Sequence, residues 1–371
     1  MNNVCEKDKC TGCMACLEVC MKKAIKIEDT LEAYNAVICE DLCVHCNACL
    51  RVCQNLNDNI AFRKTISWYQ GWSSDARNRK NSSSGGAAYE LSRAIINCGG
   101  CVFSCLFSKG KFIFGEAETV DELKRFVGSK YVKSNPERVY HGISKRLKED
   151  RQVLFIGLPC QVAGLKHIVG EKDNLYTIDL ICHGTPSPNT LDLFLKQYGC
   201  SLDSLMNIQF RVKDQFQVAQ KDKTFAPRGV YDPYMMAFLN GLIYTENCYS
   251  CKYARRERIS DITIGDSWQS NLPLAEQKKG ISLLLAQTEK GDALIQKAAL
   301  QLNSVNLEKA VEANHQLQYP SFEPTGKADF FKCLREGKKF NMLVKKNYPK
   351  QYMRQRIKTI FIRLGIIREG I

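Results

Sequence analysis

Between residues 66 and 302 short apolar runs alternate with segments of helical period. Ile66 to Trp72 reads as a short strand and Ser73 to Asn81 as a polar, charged connection. After Ser82-Ser83-Ser84-Gly85-Gly86 the positions Ala88, Leu91 and Ile95 fall on one helical face. Val153 to Gly157 is an apolar strand, and the turn Leu158-Pro159-Cys160 opens a helix that runs to about Ile168. Leu175 to Ile181 is the next strand, ending at Cys182-His183-Gly184. Thr185-Pro186-Ser187-Pro188 then starts another helix, with Ser187 as N-cap and Pro188 at the first helical position. Strand, helix, strand implies a right-handed parallel crossover. Cys160 and Cys182 then lie just beyond the carboxyl ends of parallel strands, where open α/β sheets place their ligands. Asp261 to Gly265 and Gly280 to Gln287 read as further strands, and Gly291 to Leu302 as a helix. The expected class is α/β (α+β overall): a small N-terminal unit, a mixed-sheet domain and a basic helical tail.

Ahead of this region eight cysteines repeat one spacing twice. Cys10, Cys13, Cys16 and Cys20 read C-x2-C-x2-C-x3-C, and so do Cys43, Cys46, Cys49 and Cys53. This is the spacing of a bacterial-type ferredoxin with two [4Fe–4S] clusters, in which the fourth ligand of each cluster comes from the other repeat. Cys53 is expected to join Cys10, Cys13 and Cys16, and Cys20 to join Cys43, Cys46 and Cys49. Structural zinc is the alternative; its C-x2-C pairs are normally separated by a longer loop. Gly12 suits the tight loop because it can take positive φ, and Ala15 and Ala48 keep the wall beside each cluster small. The proline that commonly follows the fourth cysteine is replaced by Met21 and Gln54. Cys5 and Cys39 read as non-ligands. Gln54 to Lys64 is a polar stretch that reads as a linker. The boundaries read as a ferredoxin unit over 1–56, a linker over 57–66, the mixed-sheet domain over 67–325 and the tail over 326–371.

Two further features carry chemistry. A glycine pair opening a helix at Ser84-Gly85-Gly86 lets backbone N–H groups approach a phosphate, although serine-rich turns also cap ordinary helices. Cys248 and Cys251 form another C-x2-C, followed by Arg255-Arg256-Glu257-Arg258. With Cys160 and Cys182 they supply four sulfurs, enough for one more cluster. The other reading makes Cys160 and Cys182 small buried residues and the C-x2-C pair a thiol couple. Cys98, Cys101 and Cys105 read as buried small hydrophobes.

The chain of 371 residues is long enough for two or three domains. Its 19 cysteines are an odd number and no apolar leader precedes them, which points to a reducing cytoplasm rather than a disulfide framework. The formal charge is +14. Each oxidised cluster with four thiolates carries roughly −2, so three would bring the total to about +8. No nucleic-acid reader motif accompanies the basic residues. They gather in the tail from Lys345 to Ile371, where Ile357, Ile360, Phe361 and Leu364 share a helical face. That helix is expected to pack this face on its own domain and leave its basic face to solvent. Lying on an anionic membrane or docking a partner is the alternative.

From about Ser67 to Trp268 the chain resembles the beta subunit of coenzyme F-420 (deazaflavin) hydrogenases and dehydrogenases. The resemblance rests on Ser83-Ser84-Gly85-Gly86, Gly128-Ser129-Lys130-Tyr131-Val132 and Gly157-Leu158-Pro159-Cys160-Gln161. It continues through Asp179-Leu180-Ile181-Cys182-His183-Gly184, Cys248-x2-Cys251 and Asp261-Ile262-Thr263-Ile264-Gly265-Asp266. It implies a core that binds FAD and one more [4Fe–4S] cluster, with Cys160, Cys182, Cys248 and Cys251 as ligands. It also implies an FAD loop at Ser84, Gly85 and Gly86, with Lys130 and Tyr131 near the flavin. Lys130 could stabilise negative charge on the reduced ring. His183 is a candidate proton relay, against a local hydrogen bond that simply holds the Cys182 turn.

The expected function is an FAD- and iron–sulfur-dependent oxidoreductase. Electrons from a low-potential donor, a ferredoxin-like or other redox protein, would pass through the clusters to FAD and on to a small organic acceptor. The alternatives are an electron-transfer subunit that feeds a partner enzyme without a substrate of its own, and an assembly or regulatory protein that senses redox state.

Overall fold

The computed structural model describes residues 2–220 and 223–367, so the last four positions of the basic tail lie outside the described residues. Strands β1 (Asn2–Asn3), β2 (Ile25–Asp29) and β3 (Tyr34–Ile38) form a small antiparallel sheet, and the two cysteine loops lie beside it. The main sheet has eight strands. They are β4 (Ser67–Ser73), β5 (Cys101–Ser108), β6 (Lys111–Ala117), β7 (Val153–Gly157), β8 (Leu175–Leu180), and three introduced below. A separate antiparallel sheet, β9 (Gln209–Val212), β10 (Gln215–Gln220) and β11 (Lys223–Thr224), leans over one end. The remaining main-sheet strands are β12 (Ile262–Asp266), β13 (Ser282–Ala286) and β14 (Leu300–Asn303).

The order is β14-β4-β13-β12-β8-β7-β5-β6. The four central strands β12, β8, β7 and β5 are parallel, and antiparallel strands close both edges. The expected crossover is present: β7 and β8 are parallel neighbours, joined by the helix Pro159–Val169. Along β7 the side chains alternate between two cores, since strand residues point to opposite faces in turn. Leu154 and Ile156 pack with Leu91, Ile95 and Leu294 on one face, whereas Val153 and Phe155 pack with Tyr140, Val162 and Leu165 on the other. A third core, rich in Phe and Tyr, joins the helices Pro188–Lys196, Pro233–Leu239, Lys327–Arg335 and Phe340–Asn347.

Three expectations are corrected. The segment Gly291 to Leu302 is not one helix: Glu289–Lys297 is helical, and Leu300–Asn303 becomes edge strand β14 against β4. The polar stretch after Cys53 is held down. Gln54 is buried and donates to the Cys160 carbonyl at 2.6 Å, while Arg63 pairs with the backbone of Arg258. The helix Pro349–Arg363 has no buried residue, and Ile357, Ile360, Phe361 and Leu364 face outward rather than into the domain. Among the described residues no helix is long and apolar enough to cross a membrane.

Candidate functional site

The two N-terminal repeats fold alike. Gly12 and Met14 take positive φ in the first, and His45 and Asn47 take the same conformation in the second. Each loop then enters a short helix, Ala15–Val19 or Ala48–Arg51. This turn gathers three sulfurs in one loop while the fourth cysteine leaves along the helix. Cys53 lies near Cys13 of the first repeat, and Cys20 lies near Cys49 of the second. Cys16 and Cys49 are neighbours across the two groups. Cys46 is exposed. The sequence reading missed one contact: Cys5 lies against Cys10 and Cys53, and these neighbours lower its thiol pKa. Asn55 adds a donor to the same sulfur at 3.6 Å. Cys39 precedes the short helix Glu40–Leu42.

The first repeat is docked on the main domain. The Tyr140 hydroxyl donates to the Cys13 carbonyl at 2.8 Å and Lys133 Nζ to the Thr11 carbonyl at 3.0 Å. Gly164, in the helix Pro159–Val169, leaves room for this approach, because a Cβ there would sit 3.0 Å from Cys13 Cβ. Gln54 accepts from the Tyr253 hydroxyl at 2.5 Å and so bridges the repeat to the segment after Cys251.

Cys160, Cys182, Cys248 and Cys251 line one cavity of about 290 Å³, which also reaches Cys5. Burial pushes the Cys160 thiol well up and the Cys182 thiol to about 12, and the neighbouring thiols of the group push in the same direction. Burial raises Cys251 as well, so these three thiols resist ionisation unless a cationic centre compensates them. The surroundings fit that role. Lys133 and Arg258 bring positive charge towards the group, and Asn247 donates to Cys248 at 3.7 Å. A zinc ion, with bonds of about 2.3 Å, would draw four sulfurs to within roughly 4 Å of each other. Among the described residues no three His, Cys, Asp or Glu gather around a single-ion position.

A second cavity, about 520 Å³, opens beyond the carboxyl ends of β7, β8 and β12. Cys182 and His183 line both cavities and form the wall between them. Ser84 and Gly86 face the larger one, where the helix Ala87–Ile96 begins. Gly86 is its N-cap, at φ 91°, and supplies no side-chain cap, so the first N–H groups of the helix keep their capacity for an anionic ligand. Gly85 is not part of the cavity wall. A Cβ there would meet the Gly71 carbonyl at 2.5 Å, so this glycine serves packing against β4 and β13. Lys130 and Tyr131 line the cavity. Lys130 donates to the Phe126 and Val127 carbonyls, and burial lowers its pKa.

The amide of Gln316 lies 2.5 Å from His183 Nδ1 and holds the ring in place. Burial, and then His315, hold its pKa down at about 4, so the ring is neutral. Sequence reasoning also missed Lys213 and Arg211, which lie on the unassigned hairpin β9–β10. Lys213 clamps the serine loop through the carbonyls of Arg79, Ser82 (2.9 Å) and Ser84 (2.8 Å). Arg211 pairs with Asp266 at 2.5 Å on the cavity wall. The alternation of Phe210 and Val212 with polar neighbours was the available signal. Cys105 lines the same cavity and Cys101 is core, but Cys98 is exposed and accepts from Lys297 at 2.8 Å, contrary to its expected burial.

These features define an iron–sulfur redox protein. Residues 9–63 match the model of the 4Fe-4S dicluster domain. Residues 150–311, behind the dicluster unit, match that of the C terminus of the coenzyme F420 hydrogenase/dehydrogenase beta subunit. The matched segment begins after the Ser83–Gly86 and Gly128–Val132 motifs. No curated protein matches. Among solved structures, the xenon-derivatised F420-reducing [NiFe] hydrogenase complex from Methanosarcina barkeri is similar at 18% identity. The match covers 84% of this chain and 96% of that one, with a TM-score of 0.49.

Proposed function

We propose that the protein is an FAD- and iron–sulfur-dependent oxidoreductase that carries electrons from a low-potential donor to a small organic acceptor. The single observation behind this reading is the shared wall: Cys182 faces the thiol cavity on one side and the larger cavity on the other. Cys10, Cys13, Cys16 and Cys53 would hold one cluster, Cys43, Cys46, Cys49 and Cys20 a second, and Cys160, Cys182, Cys248 and Cys251 a third. The second group is the most exposed and suits entry; the first is buried against the helix that bears Cys160. FAD, when bound, converts between one- and two-electron transfer.

For FAD, the Ser82–Ser84 loop, Gly86 and the following N–H groups would hold the phosphates. Lys213 fixes that loop from behind. The aromatic wall of Tyr131, Phe216 and Phe238 gives a ring system an apolar face. His183, neutral and held beside Gln316 at the junction, would hydrogen-bond a bound ring or acceptor there and orient it.

The second reading, an electron-transfer subunit that feeds a partner, is favoured by Leu42 and Val44, exposed beside Cys46. Anaerobic purification with iron, sulfide and flavin measured per chain tests the first. About twelve irons and one FAD are expected, since each cubane holds four irons. About eight irons removes the third cluster, and absence of flavin overturns the proposal. Flavin present, with turnover only in the presence of a co-purified protein, moves the assignment to the second reading.

A further inference from the structure

The helix Pro349–Arg363 is mounted the wrong way round for a soluble domain. Its inner side packs Tyr352 against the aromatic core and is otherwise largely polar. Gln355 accepts from the Tyr231 N–H at 3.1 Å, Lys358 donates to the Gly229 carbonyl at 2.6 Å, and Gln351 exchanges hydrogen bonds with Asn240. Its apolar side faces away. Met353, Ile357, Ile360 and Leu364 recur at intervals of four, three and four residues, which makes one continuous stripe. They are 47–66% exposed, and Phe361 lies beside them. A solvated helix ordinarily buries that stripe.

The charges on either side select what covers it. Lys350 and Arg354 border the stripe on one edge, Arg356 and Arg363 on the other, and all four are exposed. The helix contains no Asp or Glu. A second copy of this helix would bring arginine rows against arginine rows, whether parallel or antiparallel. A bilayer with anionic headgroups satisfies both features: apolar side chains enter the acyl boundary while the flanking cations reach the phosphates. We propose that this helix seats the protein in the plane of an anionic membrane surface, with its stripe inserted into the acyl boundary. This goes beyond the redox reading and is independent of it.

The test is flotation of the full anaerobic protein with vesicles of phosphatidylcholine alone and of phosphatidylcholine with phosphatidylserine. Binding to the anionic vesicles should be on the order of tenfold or more tighter, and should weaken with salt. The double variant Ile357→Ser/Ile360→Ser should lose about tenfold or more of that binding. Its iron–sulfur absorption should be unchanged, because neither side chain packs on the domain. No binding to anionic vesicles overturns the proposal. So does salt-sensitive binding that the double variant leaves intact, which reports basic charge alone. A dimer in solution that the double variant converts to monomer, without vesicle binding, assigns the stripe to a second copy instead.

Discussion

Cys10 to Cys20 and Cys43 to Cys53 trace the same loop, with left-handed residues at the same two places and a helix at the same point, yet they occupy opposite environments. In the first repeat Gly12, Cys13, Met14, Ala15 and Cys16 are all buried. In the second Val44, His45, Cys46 and Asn47 are exposed. Ligand spacing therefore fixes the loop and says nothing about its surroundings. The residues between the cysteines decide those. Where the first repeat has Gly12 and Met14, the second has His45 and Asn47, which suit a surface. Solvent exposure is one of the levers that set cluster potential, so two identical ligand sets are placed to differ in potential and in access.

The largest expected effect comes from exchanging the residues that mark this difference. A Cβ at Gly12 would sit 2.9 Å from the Tyr34 ring and 3.0 Å from Lys133 Cδ, at φ +70°. Gly12→His adds a whole imidazole there, and should cost about 2–4 kcal/mol through left-handed strain and overpacking. The temperature at which the iron–sulfur absorption bleaches on anaerobic heating should fall by several degrees. An unchanged bleaching temperature would mean that the first repeat is not packed against Tyr34 and Lys133.

The same contrast explains what could be read from the chain. The loops were legible because their rule is local: three cysteines within seven residues dictate the turn. The β7–β8 crossover was legible because an apolar strand, a capped helix and another strand obey one handedness. Cys5, Lys133, Gln54 and Lys213 were not legible, since each acts on residues far away in sequence. Lys213, for instance, grips the carbonyl of Ser84, 129 residues earlier. Edge strand β14 was absorbed into a helix because Leu300 and Leu302 continue the preceding apolar pattern and only pairing with β4 separates them. In the C-terminal helix, periodicity showed two faces without showing which one turns inward.

A smaller effect is expected at the seam between the first repeat and the sheet domain. Lys133 is 3% exposed, donates to the Thr11 carbonyl and lies 5.3 Å from the Tyr34 ring centroid. Lys133→Met keeps the stem but removes the hydrogen bond and the cation, at a cost of about 1–3 kcal/mol. Lys133 also brings positive charge to Cys160 and Cys182. A cluster held there gains negative charge on reduction, so without this cation its midpoint potential should move to more negative values. Redox titration followed by paramagnetic resonance reads both outcomes. A lower bleaching temperature with an unmoved potential confines Lys133 to packing.

The smallest effect is expected from the reverse exchange, His45→Gly. His45 adopts φ 53° in an exposed loop, where no neighbour demands a small residue. Glycine removes the left-handed penalty of roughly 1 kcal/mol but restores freedom to the unfolded chain, and the two nearly cancel. The bleaching temperature should stay within about two degrees of the parent, a shift that corresponds to a few tenths of a kcal/mol. The loop still donates the backbone N–H of residue 45 to Cys43 at 3.4 Å, a contact that needs no side chain. A large loss on His45→Gly would mean that the imidazole has a partner at the exposed cluster, and that the second repeat is as tightly specified as the first.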